Sequence, residues 1–340
     1  MDPIMPICSP ANYSRELSSA VGRFYTQGLP ADTKALSNGF LDDDQWFTLA
    51  KNVLDENISA FEYEFKNFHE GMFFFYFSSL DQNTHMYWRS MDEKHPQYNP
   101  DASPRVKNAL KYFYSQMDKV VSRAMSKADS NTLLMVVSDH GFVPFTRQFN
   151  VSTWLVDNGF TAVTDRRRLH TSEFYNFIDW KNTSAYALGL NGIFINLKGR
   201  ERFGSREAKE IPAIKKAIIE KLESVVDPES GERVVLKAYD SEKIYSKDYI
   251  GLAPDIVIGY NAGYRISDEA ALGKFPKDIL ENRSDKWSAD HCLEPSLIPG
   301  ILLCNRPVKL QDPAIWDLAP SIMQAFSLTP PSSMTGRNIF

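Results

Sequence analysis

Glu70-Gly71-Met72-Phe73-Phe74-Phe75-Tyr76-Phe77-Ser78-Ser79-Leu80-Asp81 is the stretch whose environment settles the fold class. Residues 72–77 are apolar without interruption, the composition of a strand covered on both faces, as in the middle of a parallel sheet. Asp81 stands just beyond the run and His85 four residues later. Upstream, over 42–68, Trp46, Leu49, Val53, Leu54, Ile58, Phe61 and Phe65 recur at threes and fours behind the acidic turn Asp42-Asp43-Asp44, which predicts a long helix. A second unit repeats the order. A helix over about 104–127, with Leu110, Phe113, Met117, Val120 and Val121 on one face, leads into a strand at 132–137, and Ser138-Asp139-His140-Gly141 follows at once. Further strands are expected at 192–197, 234–237, 255–258 and 300–303, with helices at 211–226 and 316–326. Strands alternating with amphipathic helices imply an α/β protein with a mostly parallel sheet flanked by helices. Asp165-Arg166-Arg167-Arg168 and the segment 205–210 read as surface excursions.

The chain has 340 residues, more than the ~100–200 of a typical domain, so one large or two modest domains fit. With 43% hydrophobic and 24% charged residues, disorder is excluded as the main state. Thirty-eight basic against 43 acidic residues give a net charge of −5, which argues against a nucleic-acid groove. Cys8, Cys292 and Cys304 are too few for a disulfide framework, and their odd number leaves a thiol free. No signal peptide is expected at the first residues, and the longest apolar runs fall far short of the ~20 residues of a membrane span. The compartment stays open, cytoplasmic or exported, as does the oligomeric state.

In open α/β sheets ligands gather at the carboxyl ends of the strands. Asp81 and His85 lie at one such end, Asp139 and His140 at another, and Trp287-Ser288-Ala289-Asp290-His291-Cys292 precedes the expected strand at 300–303. Singly, each has a plain structural reading: Asp81 as a helix cap, Asp139 as a turn former, His291 as a structural histidine. Together, three of the six histidines and two carboxylates border predicted central strands. Mixed imidazole and carboxylate donors suit zinc or manganese, and two such ions ~3.5–4 Å apart can clamp a phosphoryl group. Asn191-Gly192 reads as a tight turn, with a substrate-facing Asn191 as the sharper option. Tyr87, Trp88, Phe142 and Phe145 could stack on a ligand but read better as core. Cys292 is expected to be a small buried residue, and Asp290 either a brace for His291 or an exposed loop acid.

This order of motifs resembles the alkaline phosphatase superfamily, and within it the type I phosphodiesterase/nucleotide pyrophosphatase family. Asp-x-x-x-His after one strand, Ser-Asp-His-Gly-Phe after the next and a late His before Pro299-Gly300 carry the likeness. Flanking text, Phe24-Tyr25-Thr26-Gln27-Gly28, Tyr186-Ala187-Leu188-Gly189-Leu190-Asn191-Gly192 and Asp285-Lys286-Trp287-Ser288, is similar to its bacterial branch, over residues 3–340. The resemblance implies an alkaline-phosphatase-like sandwich and two divalent ions, zinc first and manganese second. One ion would be held by Asp81, His85 and His291, the other by Asp139 and His140. The family also needs an aspartate at the end of a first strand and a Ser or Thr nucleophile. Neither is found before Asp81, where Thr26 and Thr33 lie in text that matches the family's middle. The chain is therefore expected to be the C-terminal part of one catalytic domain, 1–340, with 150–250 as a possible insert or set of excursions, and with its N-terminal strands and nucleophile upstream of Met1. It would act on small phosphorylated substrates by two-metal in-line transfer in the full-length enzyme and be poorly active alone. A non-catalytic metal- or phosphate-binding fragment, and a phosphoglycerate mutase-like or sulfatase-like enzyme on the same scaffold, are the alternatives.

Overall fold

The computed structural model describes residues 7–25, 31–171, 173–246 and 248–340. Pro3, Thr26, Gln27 and Gly28, used in the resemblance, lie outside the described residues. In chain order the helices are α1 (Tyr13–Val21), α2 (Thr33–Ser37), α3 (Asp43–Asn67), α4 (Ser79–Met91), α5 (Pro104–Lys107), α6 (Ala109–Lys127), α7 (Val151–Asp157), α8 (Ile211–Glu223), α9 (Asp268–Ala271) and α10 (Leu318–Ala325). The strands are β1 (Met135–Val137), β2 (Val143–Phe149), β3 (Ala185–Leu188), β4 (Gly192–Ile195), β5 (Val235–Asp240), β6 (Ile256–Tyr260), β7 (Gly263–Ile266), β8 (Leu280–Asn282), β9 (Ala289–Asp290) and β10 (Leu302–Cys304). They sort into two compact units, residues 1–113 with 142–298, and residues 114–141 with 299–340.

In the larger unit α3 forms where the heptad-like spacing places it. The Asp42 carboxylate accepts from the Gln45 backbone N–H at 2.7 Å while the Gln45 side chain accepts from the Asp42 N–H at 2.9 Å, a capping box. Such a cap contributes about 1 kcal/mol. Trp46, Phe47, Leu54 and Phe61 are buried along one face. Tyr87 of α4 packs on Trp46 with ring centroids 5.2 Å apart and donates its hydroxyl to the Asp43 carbonyl at 2.7 Å. The long helix thus sets the position of α4.

Between these helices the run 72–77 differs from the expected central strand. It joins no ladder among the described residues. Phe73, Phe75 and Phe77 turn toward Phe61, at 5.9, 5.5 and 5.7 Å between centroids, while Met72, Phe74 and Tyr76 are 57%, 73% and 67% exposed. The period of two is that of a strand, but helix packing covers only one face. The helix expected over 104–127 is likewise divided: the Asn108 side chain donates to the Pro104 carbonyl at 2.8 Å and closes α5 before α6 starts.

Two sheets complete this unit, one in the order β3-β4-β6-β5, the other in the order β7-β2-β8 with β9 paired to β2. The expected mostly parallel pairing occurs in the β2–β7 ladder, whereas the other ladders are antiparallel. Short connections explain this. The three residues Gly189-Leu190-Asn191 between β3 and β4, with Gly189 at φ 74°, can only reverse the chain. The core gathers Phe149, Leu155, Ile193, Ile195, Ile218, Leu222, Ile256, Ile258, Tyr260 and Ile266. Of the stretch 150–250, the arginine run lies on the surface, with the Arg167 side chain 94% exposed, while α7, β3, β4, α8 and β5 supply core residues. In the smaller unit β1 pairs with β10, Met135 opposite Cys304.

Candidate metal centre

Asp81 and His85 occupy successive turns at the start of α4, the helix that follows 72–77. Four residues along a helix place side chains on one face. His85 Nε2 is 3.7 Å from Asp81 Oδ1, and His291 Nε2 is 3.5 Å from the same oxygen. The three donor atoms of Asp81, His85 and His291 lie within 4.8 Å of one another. His85 Nδ1 is 2.6 Å from the Ala289 carbonyl. A carbonyl only accepts, so Nδ1 carries the proton and Nε2 presents its lone pair toward Asp81 and His291. That is the tautomer a metal ligand needs.

The segment 287–292 forms the opposite wall. Ser288 N–H and Oγ both donate to the His85 carbonyl, at 2.7 and 2.9 Å. The Trp287 indole stacks on the His85 ring at 3.8 Å with a 26° tilt, and Phe142 sets its ring edge-on to His85 and His291 at 4.8 and 5.3 Å. β9 lies against β2, Ala289 opposite Pro144 and Asp290 opposite Val143. Beneath it the Asp290 carboxylate forms a buried ion pair with Arg265.

Charge and burial divide the roles. Burial drives the His85 imidazole down to about 4 in spite of Asp290 and Asp81, so the ring is neutral at pH 7. For Asp290 burial acts in the opposite direction, but Arg265, the Cys292 N–H, His85 and the Trp287 indole outweigh it and bring the carboxyl down to about 2. Burial, aided by Asp290, pushes the Cys292 thiol up to about 12, so it stays protonated at neutral pH; the side chain is half-buried rather than fully buried as expected. Asp290, His291 and Cys292 also cluster closely enough to hold an ion, yet Asp290 is consumed by its other partners. One carboxylate and two imidazoles, that of His85 neutral and held in one tautomer, fit a zinc or manganese ion with open positions.

Asp139 and His140 belong to the smaller unit, directly after β1. His140 Nε2 lies 3.6 Å from Asp139 Oδ1, and His140 Nδ1 is 3.0 Å from the Gly141 carbonyl, which again leaves Nε2 as the acceptor. The Asp139 side chain is 71% exposed. The loop is pinned from behind: Ser138 N–H donates to the Ile301 carbonyl at 3.1 Å, and Ile301 N–H donates to Ser138 Oγ at 3.0 Å. Gly300 permits this approach, since a Cβ there would sit 2.3 Å from the Ser138 carbonyl oxygen.

The remaining candidates divide in the same manner. Asn191 donates its amide to the carbonyls of Ile258, at 2.8 Å, and Cys292, at 3.3 Å. It ties the β3–β4 turn to the segment after His291. Tyr87 and Phe145 are core, Phe145 lying under the guanidinium groups of Arg265 and Arg283 at 4.8 Å each, while Trp88 donates to Asp92 at 3.2 Å. Thr33 opens α2 behind the Asp32 cap. Arg265 is the contributor that sequence reasoning missed; its one signal is a guanidinium in the otherwise unbroken strand Gly263–Ile266, where only a buried partner makes it tolerable.

A family model described as type I phosphodiesterase / nucleotide pyrophosphatase matches residues 3–286, most of the chain. The chain belongs to that family, within the alkaline phosphatase superfamily, and its mixed α/β build agrees with it. No curated protein matches it.

Proposed function

We propose that this member of the type I phosphodiesterase / nucleotide pyrophosphatase family carries one complete ion site of a metal-dependent phosphate ester hydrolase, with Asp81, His85 and His291 as ligands. Zinc is the first choice of ion and manganese the second, on the donor set alone. The observation that carries the reading is the convergence of three donor atoms within 4.8 Å, two of them imidazole nitrogens. A bound divalent ion would supply Lewis-acid stabilisation to the oxygens of a phosphate ester. The chain's own residues do the rest. Asp81 contributes the anionic donor, the Ala289 carbonyl keeps the His85 proton on Nδ1, and Trp287 and Phe142 pack on the buried His85 ring. A second ion on Asp139 and His140, and in-line two-metal transfer in the full-length enzyme, rest on the family resemblance. No helix of the described residues is long and apolar enough to cross a membrane, and the substrate is a small phosphorylated molecule.

The chain itself is proposed to be poorly active, as the C-terminal part of a catalytic domain whose nucleophile precedes Met1. The exposure of Met72 and Phe74, at 57% and 73%, in a run with the composition of a doubly covered strand, supports that view. Equilibrium dialysis against zinc, with His291→Ala as comparison, tests the ion site: affinity should fall by at least about 100-fold in the variant. Turnover of a nitrophenyl phosphate monoester and diester by the zinc-loaded chain should stay near background. Robust turnover would overturn the missing-nucleophile reading; zinc binding without turnover also fits the non-catalytic alternative, which rejoining an upstream segment would separate.

A further inference from the structure

We propose that Asp290 is a positioning residue for this centre, one carboxylate that fixes both the backbone presenting His291 and the indole packed on His85; this rests on reading Asp81, His85 and His291 as an ion site. Asp290 is 2% exposed, and its two oxygens have four donors. Oδ1 accepts the backbone N–H groups of His291 and Cys292, each at 2.8 Å. Oδ2 accepts the Trp287 indole N–H at 2.8 Å and the Arg265 guanidinium. An ionised carboxylate offers about four lone-pair sites, so this one is fully used and cannot itself act as a ligand.

The positions it controls are those the ligands need. Holding the His291 and Cys292 N–H groups clamps the turn on which the His291 ring is mounted. Holding the Trp287 indole fixes the plane against which His85 stacks. The residue before Asp290, Ala289, provides the carbonyl that sets the His85 tautomer, so a shift of this two-residue strand would disturb both histidines at once. Arg265 anchors the carboxylate from below: it also pairs with Asp268 and lies over the Phe145 ring at 4.8 Å. A buried ion pair is poor glue, because apolar residues of similar volume often stabilise as well or better. Its placement directly behind two candidate ligands assigns it a geometric task.

Cobalt(II) titration of the chelator-treated chain, followed by its d–d absorption bands and by zinc competition, tests the assignment in the wild type, Asp290→Asn and Trp287→Phe, each with a melting curve recorded in chelator. Asp290→Asn is expected to lower cobalt affinity about 10–100-fold and to alter the bands. Trp287→Phe keeps an aromatic ring on His85 while removing the N–H to Asp290 and part of the stacking surface, so a smaller loss of about 2–10-fold is expected with a nearly unchanged melting curve. A folded Asp290→Asn that binds cobalt as tightly as wild type with the same bands overturns the proposal. Should Asp290→Asn fail to fold, Trp287→Phe decides, and unchanged affinity and bands there overturn it. A wild type that binds neither cobalt nor zinc overturns the ion site itself, and the positioning role with it.

Discussion

The corner built from Asp81, His85 and His291 and the corner built from Asp139 and His140 use the same residue types and differ in what stands behind them. Behind the first are a stacked indole, a carbonyl-fixed tautomer and the buried Arg265–Asp290 pair. Behind the second are a strand of three residues, Met135–Val137, and the close backbone crossing of Ser138 and Gly300, with Asp139 itself largely in solvent. Ligand chemistry is therefore a local property of each motif. Rigidity is not; it comes from groups far along the chain.

The comparison breaks most sharply on Arg265. Arg265→Ala leaves Asp290 charged and buried without its partner, and should cost about 3–5 kcal/mol in chemical denaturation. If it costs no more than a substitution at Asp139, the bracing described for the first corner is absent. A second contrast comes from pH. With its folded value depressed to about 4 against 6.5 unfolded, His85 takes up a proton more readily in the unfolded chain. Its contribution is complete above pH 6.5 and is lost as pH falls from 6.5 toward 4, of order 1–3 kcal/mol for the metal-free chain. Denaturation midpoints of wild type and His85→Gln between pH 7 and 4 check this, and parallel pH profiles would count against it. In the second corner Gly300→Ala forces a methyl against the Ser138 carbonyl and should cost about 1–3 kcal/mol, read as a lowered midpoint in urea. The smallest effect belongs to Asp139→Ala, within about 0.5 kcal/mol of wild type in stability, since its side chain is mostly solvated.

Much of the frame was legible because local rules and tertiary structure agree there. The spacing from Trp46 to Phe65 behind the acidic turn Asp42-Asp43-Asp44 specifies α3 almost to the residue. β2 was not seen, because Pro144, Thr146, Arg147 and Gln148 interrupt its apolar pattern; Arg147 is there for a buried pairing with Asp227, far along the chain. The run 72–77 was expected to be a central strand covered on both faces and joins no ladder among the described residues, since composition reports what a strand can bury and not what is present to cover it. In the site, residue types and spacing gave Asp81 and His85 because one helical turn relates them. The tie from Arg265 to Asp290 spans 25 residues and two elements, so no local pattern displays it.

The exposed side of 72–77 also governs how the chain behaves as a solute. Met72, Phe74 and Tyr76 form an oily strip on a face of the molecule, at 57%, 73% and 67% exposure. Water wets such a strip poorly, and salts excluded from the protein surface sharpen the penalty. Retention on a phenyl matrix should rise steeply with ammonium sulfate, and Phe74→Ser should shorten it while Phe75→Ser, on the packed side, should instead lower the melting temperature. Colloidal stability and folding stability are thus written on alternate residues of one six-residue run.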